Sequence, residues 1–485
     1  MATWREMLRT HRPIQEVHIS PLPLMRFKDV LDHEAWDELI GAFRDTGKVF
    51  GRRTIWNINS TGTGGGVVEI LQAILPYLRG AGVDARWLVI TAKKPFFHVT
   101  KRLHNMMQGE PGDGGELGPE ERGTYDDTMD FNARMLAAVV QPGDLVVLHD
   151  PQTAGLAAFM KKRGAKVIWR CHIGTDKPNE FSRRGWEFLL PYVTSADAYI
   201  FSCLDFVPAG IDRSRVDVVM PSIDVFSSKN QHLDPAVVRG ILHHTGLVSG
   251  KLPKGSFPIF RRLDDTPSRV DRQADIVREG PPPDFEEPLI VQVSRWDRLK
   301  DPKGVLAGFA EHAAGRCDAH LLLAAPDASS ILDDPEAAQA LGETLRLLKR
   351  LPVKVRKRVH LASLPMADLE ENAAIVNAIQ RHGTVLVQKS LKEGFGLTIA
   401  EAMWKARPVV ATAVGGVKRQ VQNWVDGILL DDPTDLDAFG GALVRLLEDE
   451  GLAERLGRKA KQRAQRSFLN DRHMVHYMGV LKRVA

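Results

Sequence analysis

Short apolar runs rich in Val, Ile and Leu recur along this chain with amphipathic stretches between them, and the series starts twice. The first series falls at 53–60, 86–91, 144–149, 166–172, 198–203 and 216–221. The second falls at 289–294, 320–325, 358–362, 384–388, 408–413 and 427–430. Between several of them apolar residues return at helical spacing, as at Val67, Ile70, Leu71, Ile74 and Leu78. Parallel strands need long crossovers, usually helices, so this alternation predicts α/β architecture with doubly wound parallel sheets. At 485 residues the chain exceeds one ordinary core. The expectation is therefore two Rossmann-like domains, 1–245 and 246–467, joined through a Pro-, Asp- and Arg-rich stretch at 247–288. Residues 33–43 read as an amphipathic helix, and 108–123 as a mobile surface loop rich in Gly, Glu and Pro.

Composition removes several classes of function. Sixty-five basic and 61 acidic residues leave a net charge of +4, too little to make nucleic acid or an anionic membrane the main partner. Cys171, Cys203 and Cys317 are widely spaced with no CxxC, so a disulfide framework or structural zinc is not expected and a reducing cytoplasm fits. No apolar run nears the roughly 20 residues that span a bilayer. The first residues lack the apolar core of a secretion signal.

Ligands of doubly wound sheets bind at the carboxyl ends of the strands, so the residues there carry the functional reading. After the run 384–388 comes Lys392-Glu393-Gly394-Phe395-Gly396-Leu397-Thr398-Ile399-Ala400-Glu401. Strand, glycine turn and helix start offer unpaired backbone N–H groups to an anion. This stretch is read as the seat of a nucleotide sugar's diphosphate and sugar. Glu393, in the turn, can face the sugar; Glu401, a turn into the helix, can accept from ribose hydroxyls. The bland alternative is two glutamates on a solvated face. Arg295 and Lys300 follow the first strand of the second series and can neutralise a diphosphate leaving group. Alone they would read equally well as a basic loop. In the first domain, His149-Asp150-Pro151-Gln152 and His172 end two strands, where they can meet sugar hydroxyls; His172 can also shield positive charge at an anomeric carbon. A satisfied core histidine is the alternative.

The run Gly62, Gly64, Gly65, Gly66 fails as a dinucleotide fingerprint. The third glycine would fall at Val67, and the second strand ends in Thr91-Ala92-Lys93-Lys94 with no acid for a ribose. It remains a loop whose backbone can approach phosphate or sugar closely. No HExxH, strand-end DxD or GxSxG is present.

With these pieces placed, the chain resembles the retaining GT-B glycosyltransferases, the family that includes sucrose, glycogen and trehalose synthases. The family's E-x7-E is Glu393 and Glu401 with the Gly-Phe-Gly turn; its Arg and Lys match Arg295 and Lys300; its glycine loop matches Gly64, Gly65 and Gly66. Within that family it is similar to trehalose glycosyltransferring synthase and trehalose phosphorylase. That likeness rests on the run 56–61 leading into 64–69, Leu148-His149-Asp150-Pro151-Gln152, Arg170-Cys171-His172-Ile173, and Pro221-Ser222-Ile223-Asp224 with Lys229-Asn230. It departs at Val68, where the family has alanine, and in the glycine-rich 109–118.

The resemblance implies a GT-B fold, two domains across a cleft, with a C-terminal helix at about 468–485 packing back on the first. It implies metal-free, cofactor-free, reversible transfer of glucose from UDP- or ADP-glucose to glucose, giving α,α-trehalose with retention. Glu393 and the N–H groups of Gly394, Phe395 and Gly396 would hold the donor glucose. Arg295, Lys300 and the N–H groups of Leu397 and Thr398 would hold the diphosphate, and Glu401 the ribose. His172 would lie near the donor's C6 hydroxyl. Gly64, Gly65, Gly66, His149, Asp150 and Gln152 would serve the acceptor. Partners would be small-molecule sugars and a second copy in a homodimer, in the cytoplasm. A phosphorylase using glucose 1-phosphate, a transferase with another acceptor, and a binding protein without catalysis stay open.

Overall fold

The computed structural model describes residues 14–63, 65–327 and 336–485. The chain forms two compact units, Met1–Ser222 with Asn470–Ala485, and Ile223–Leu469.

The first unit is built on β1 (Gln15–Val17), β2 (Ile55–Asn59), β3 (Ala85–Val89), β4 (Leu145–His149), β5 (Lys166–Cys171), β6 (Ala198–Phe201) and β7 (Val216–Val218). They form one sheet in the order β1-β3-β2-β4-β5-β6-β7, parallel except for β1. β2 and β4 are buried at every residue, as a sheet covered on both faces demands. Trp56, Ile58, Leu148, Val167, Trp169 and Tyr199 belong to the core on this sheet. The helix Asn470–Val484 packs against the helices His33–Phe43 and Gly66–Gly80 of the same unit. Asp32 starts the first of these by accepting from Ala35 N.

The second unit has a hairpin, β8 (Ile259–Arg261) with β9 (Pro267–Arg269). It then has β10 (Asp275–Val277), β11 (Leu289–Val293), β12 (His320–Pro326), β13 (Val359–Leu364), β14 (Val385–Gln388), β15 (Val409–Thr412) and β16 (Ile428–Leu430). Their order is β10-β13-β12-β11-β14-β15-β16, parallel except for β10.

Among their parallel strands, both sheets reverse direction once in strand order. In the first unit the reversal lies between β2 and β4, in the second between β11 and β14. These switch points open a crevice beyond the carboxyl ends of their strands, the usual ligand position in such sheets.

All twelve strands expected from the sequence are present, and the edge strands β1 and β10 and the hairpin are additional. Two expectations are corrected. Residues 223–245 belong with the second unit: Asn377 Nδ2 donates to Ser228 O and Gln231 O, and the helix Pro235–His244 lies on the helix Leu369–His382. The stretch 119–123 begins the helix Pro119–Leu136, and Arg102 ties the turn before it to Asp113, Glu116 and Glu121. The C-terminal segment forms two helices, Glu450–Ser467 and Asn470–Val484, the second at the place expected for a C-terminal helix.

Candidate active site

In the second unit, β11 and β14 deliver Lys300 and Glu393 to the switch point. Lys300 Nζ donates to Glu393 Oε2 at 2.5 Å. The same oxygen accepts from Gln388 Nε2 and Ser390 Oγ, each at 3.2 Å. Thr398 Oγ1 donates to Gln388 Oε1 at 3.0 Å, tying the helix start into this cluster. One carboxylate oxygen thus collects three donors, which fixes where Glu393 points. Lys300 is held from behind as well, its carbonyl accepting from Gln292 Nε2 at 2.9 Å.

Local backbone shapes the turn. Gly396, at φ +86°, caps the helix Leu397–Trp404, a conformation that side chains rarely adopt. Gln420 Nε2 donates to the carbonyls of Phe395 and Gly396, and Gly416 N donates to Gly394 O at 3.0 Å. With those carbonyls engaged, Leu397 and Thr398 stand in the first helical turn, where N–H groups have no partner within the helix. Phe395 is buried against the ring of Phe468.

Arg295 takes a different position from Lys300. It is largely exposed and reaches Asp297 Oδ2 at 3.5 Å. Asp301 adopts φ +51°, caps the helix Pro302–Gly308 through Gly304 N at 2.9 Å, and pairs with Lys389, a fully buried lysine.

Glu401 is buried within its helix Leu397–Trp404. Its Oε2 accepts from Gln380 Nε2 at 2.7 Å, and Lys229 Nζ stands 3.6 Å from Oε1. Lys405 Nζ donates to Asn230 Oδ1 and Gln380 Oε1 at 2.9 and 2.8 Å. Burial pushes Lys405 well below the usual lysine range, with Glu401 acting in the other direction.

In the first unit β4 and β5 are parallel neighbours, with His149 opposite Arg170 in register. The rings of His149 and His172 stack at 5.4 Å, and His149 Nδ1 meets His172 Nε2 at 3.1 Å. His149 Nε2 meets Asn57 Oδ1 at 3.1 Å, and Tyr477 OH donates to that oxygen at 2.8 Å. Asp150 sits at φ +60° and accepts from His172 N at 2.7 Å. Burial raises its carboxyl to about 7. Gln152 is half-buried on the short helix Asp150–Ala154. Arg170 is buried; Nη2 donates to His473 Nε2 at 2.9 Å, and its Nε and Nη1 have no hydrogen-bond partner among the described residues. Burial, then the Arg170 charge, holds His149, His172 and His473 well below the usual histidine range, so all three are neutral near pH 7.

Gly65, at φ +90°, and Gly66 start the helix Gly66–Gly80 just beyond β2; Gly64 lies outside the described residues. The structure therefore brings together Lys300 with Glu393, and His149 with Asp150 and His172. Arg295 pairs with Asp297, and Glu401 with Gln380 and Lys229. Sequence reasoning missed Gln388, Ser390, Gln420, Asn57, Arg170, His473 and Tyr477. Gln388 was detectable as a polar residue ending an apolar run; the others become neighbours only through the fold. A cavity of about 710 Å³ lies at the other end of the first sheet, beside Thr54 and Asp144. Of its basic residues, Lys48, Arg53 and Arg86 are engaged with Asp45, Ala485 and Asp84. Among the described residues no group of three or more His, Cys, Asp or Glu could hold a metal ion. None of their helices is long and apolar enough to cross a membrane.

Residues 57–208 match the family described as trehalose synthase, N-terminal domain, and 368–463 match glycosyl transferases group 1. An α,α-trehalose-phosphate synthase (UDP-forming) from Burkholderia vietnamiensis superimposes with a TM-score of 0.63 at 15% identity, over 89% of this chain and 98% of that one. The sheets, their switch points and these matches define a GT-B glycosyltransferase. A trehalose synthase from Pyrococcus horikoshii is 33% identical over 92% of this chain and 93% of its own length. A trehalose phosphorylase from Pleurotus pulmonarius is 26% identical over 82% of this chain and 52% of its own length. The chain belongs to the trehalose synthase family.

Proposed function

We propose that the chain transfers glucose from a nucleoside diphosphate glucose, UDP- or ADP-glucose, to glucose, forming α,α-trehalose reversibly with retention and without a metal. The observation that carries this reading is the Lys300–Glu393 pair at the β11–β14 switch point, next to the first turn of the helix Leu397–Trp404. A cation beside helix N–H groups suits a diphosphate, and a fixed carboxylate suits sugar hydroxyls.

In this reading Arg295, Lys300 and the N–H groups of Leu397 and Thr398 take the diphosphate. Glu393 and the turn Gly394, Phe395, Gly396 take the glucose, and Glu401 the ribose. The first unit supplies the acceptor contacts: Gly65, Gly66, His149, Asp150 and Gln152, with His172 toward the transferred sugar. The acceptor hydroxyl oxygen bonds to the anomeric carbon on the face the diphosphate leaves. The anomeric C–O bond breaks, its electron pair goes to the diphosphate, and that oxygen takes the acceptor's proton. Cationic groups lower the barrier by meeting charge as it develops on the leaving group.

The test is trehalose incubated with UDP or ADP in one arm and with inorganic phosphate in the other, both with EDTA, with products read by NMR. Nucleotide sugar formed in the first arm alone is the expected result. Glucose 1-phosphate formed only in the second would replace this reading with a phosphorylase. The splitting of the anomeric signal reads retention directly.

A further inference from the structure

The helix Asn470–Val484 puts Tyr477 and His473 against the buried polar residues of the first sheet, and these contacts set the direction of a hydrogen-bond chain. Tyr477 is fully buried, and its hydroxyl bonds to Asn57 Oδ1 at 2.8 Å. A buried phenol proton needs an acceptor, and an amide NH2 is only a donor, so the Asn57 amide must turn its oxygen to Tyr477. His149 Nε2 meets that same oxygen at 3.1 Å and must therefore be the protonated nitrogen. In a neutral ring this leaves His149 Nδ1 as an acceptor, so His172 Nε2, 3.1 Å away, carries the proton it receives. His172 Nδ1 is left with a lone pair. That atom is buried and has no hydrogen-bond partner among the described residues, and the same holds for the Asn57 NH2 on the far side of the amide.

A second line fixes the neighbouring histidine. Arg170 has only donors, so His473 Nε2, 2.9 Å from Nη2, is an acceptor. The proton of His473 then lies on Nδ1 and goes to Ser222 Oγ at 2.9 Å. Arg170 also sits close enough to disfavour a charge on all three imidazoles.

We infer that Tyr477 and Asn57 are positioning residues that set His172 Nδ1 as a hydrogen-bond acceptor, so that His172 receives the O–H of a ligand hydroxyl. This deepens the proposed function, and rests on it for the identity of the ligand, a sugar. A neutral ring accepting a hydroxyl proton orients that hydroxyl and adds no positive charge beside the reacting carbon. Reversing the chain at Asn57 would turn Nδ1 into an N–H donor and misdirect the hydroxyl.

Tyr477→Phe removes the phenol proton and keeps the ring's volume. The experiment is 15N NMR of histidine-labelled full-length chain, with kinetics alongside. The wild type is expected to show His172 Nδ1 unprotonated and Nε2 protonated, assigned through loss of signals in His172→Gln. In Tyr477→Phe the two nitrogens are expected to exchange roles or interconvert. Its kcat should fall about 10-fold or more, with the KM for the nucleotide sugar changed less than about twofold. Protonated Nδ1 in the wild type, or an unchanged tautomer in Tyr477→Phe, overturns the inference. So does an altered tautomer with unchanged kcat in an active enzyme. The NMR spectra report folding of the variant and need no turnover, so a chain inactive toward every sugar donor sinks the proposed reaction while leaving the tautomer assignment to be judged separately.

Discussion

Glu393 binds three donors through one oxygen, and this makes it the most constrained acid of the second unit's crevice. Removing either partner of its pair with Lys300 does more than delete a contact. Lys300→Ala leaves a largely buried carboxylate with only neutral donors; Glu393→Ala leaves a partly buried ammonium without its acid. Each change also strips a group that acts on the transition state in the proposed reaction. Both variants are expected to lose about 100-fold or more in kcat/KM, the scale of a lost transition-state donor or clamp. Steady-state rates in the nucleotide-sugar-forming direction measure this, and near-normal activity in either variant would remove the site assignment. The sequence made both residues visible because each lies on the loop that follows an apolar strand run. It did not show that Lys300 and Glu393 touch, since 93 residues separate them and only the order β11-β14 makes them neighbours.

Among elements, the Gly394-Phe395-Gly396 turn owes its shape to a second loop. Gly415 sits at φ +50°, and a Cβ there would fall 1.8 Å from Glu393 O; at Gly416 it would fall 2.4 Å from Gly394 O. Gly415→Ala must push against the Glu393 carbonyl and move the turn from its place, while leaving every side chain proposed to hold the sugar nucleotide chemically unchanged. A displacement of about 1 Å in a reacting geometry costs on the order of 100-fold. Gly415→Ala is expected to lower kcat/KM to that extent with a far-UV CD spectrum like the wild type's; full activity would show that the turn is not a rigid part of the site. Asp301 is a second element-level case. It caps one helix and is the acid partner of buried Lys389, so Asp301→Ala should cost about 3–5 kcal/mol, more than a lost cap alone, in urea unfolding. A cost under about 1 kcal/mol would show Lys389 to be satisfied otherwise. These braces explain how far the sequence could be read. Strands β2, β4, β11 and β14 were legible because burial on both faces leaves a mostly apolar run with only one or two polar residues in each. Strands β1 and β10 were not, being three residues long on a sheet edge, where the composition is unconstrained. The assignment of 223–245 was missed because what holds it, side-chain bonds from Asn377 and Lys405 to Ser228, Gln231 and Asn230, comes from residues more than 140 positions away.

At the scale of the whole chain, the two units differ in how many protons they take up on unfolding in mild acid. In the first unit His149, His172 and His473 are held neutral by burial, then by Arg170. A depressed histidine contributes stability that is present above the unfolded value of about 6.5 and lost as pH falls below it, because the unfolded chain binds the proton first. The same unit contains two carboxyls shifted the other way by burial, Asp150 to about 7 and Asp471 to about 6. These take protons in the folded state as pH falls, which favours the folded unit until the unfolded carboxyls protonate near pH 4. Near pH 5 three protons on the unfolded side stand against two on the folded side. The second unit has less of this compensation. Burial lowers His360 to about 3 and His382 to about 4, and lowers His320 as well, while among its described acids Asp426 alone is raised. Each net proton is worth about 1.4 kcal/mol per pH unit, so between pH 6.5 and 5 the first unit should lose about 1.4 kcal/mol per pH unit and the second, through His360 and His382, about twice that. The second unit, with its Lys300–Glu393 cluster, is therefore expected to open first on acidification. Amide hydrogen exchange across pH 7 to 5, corrected for intrinsic rates, measures this region by region. Protection in β11, β12, β14 and β15 should fall before protection in β2, β4 and β5, and His360→Leu should narrow the gap. Loss of protection in the first unit ahead of the second would mean that its neutral histidines carry more of the acid sensitivity than Asp150 and Asp471 return.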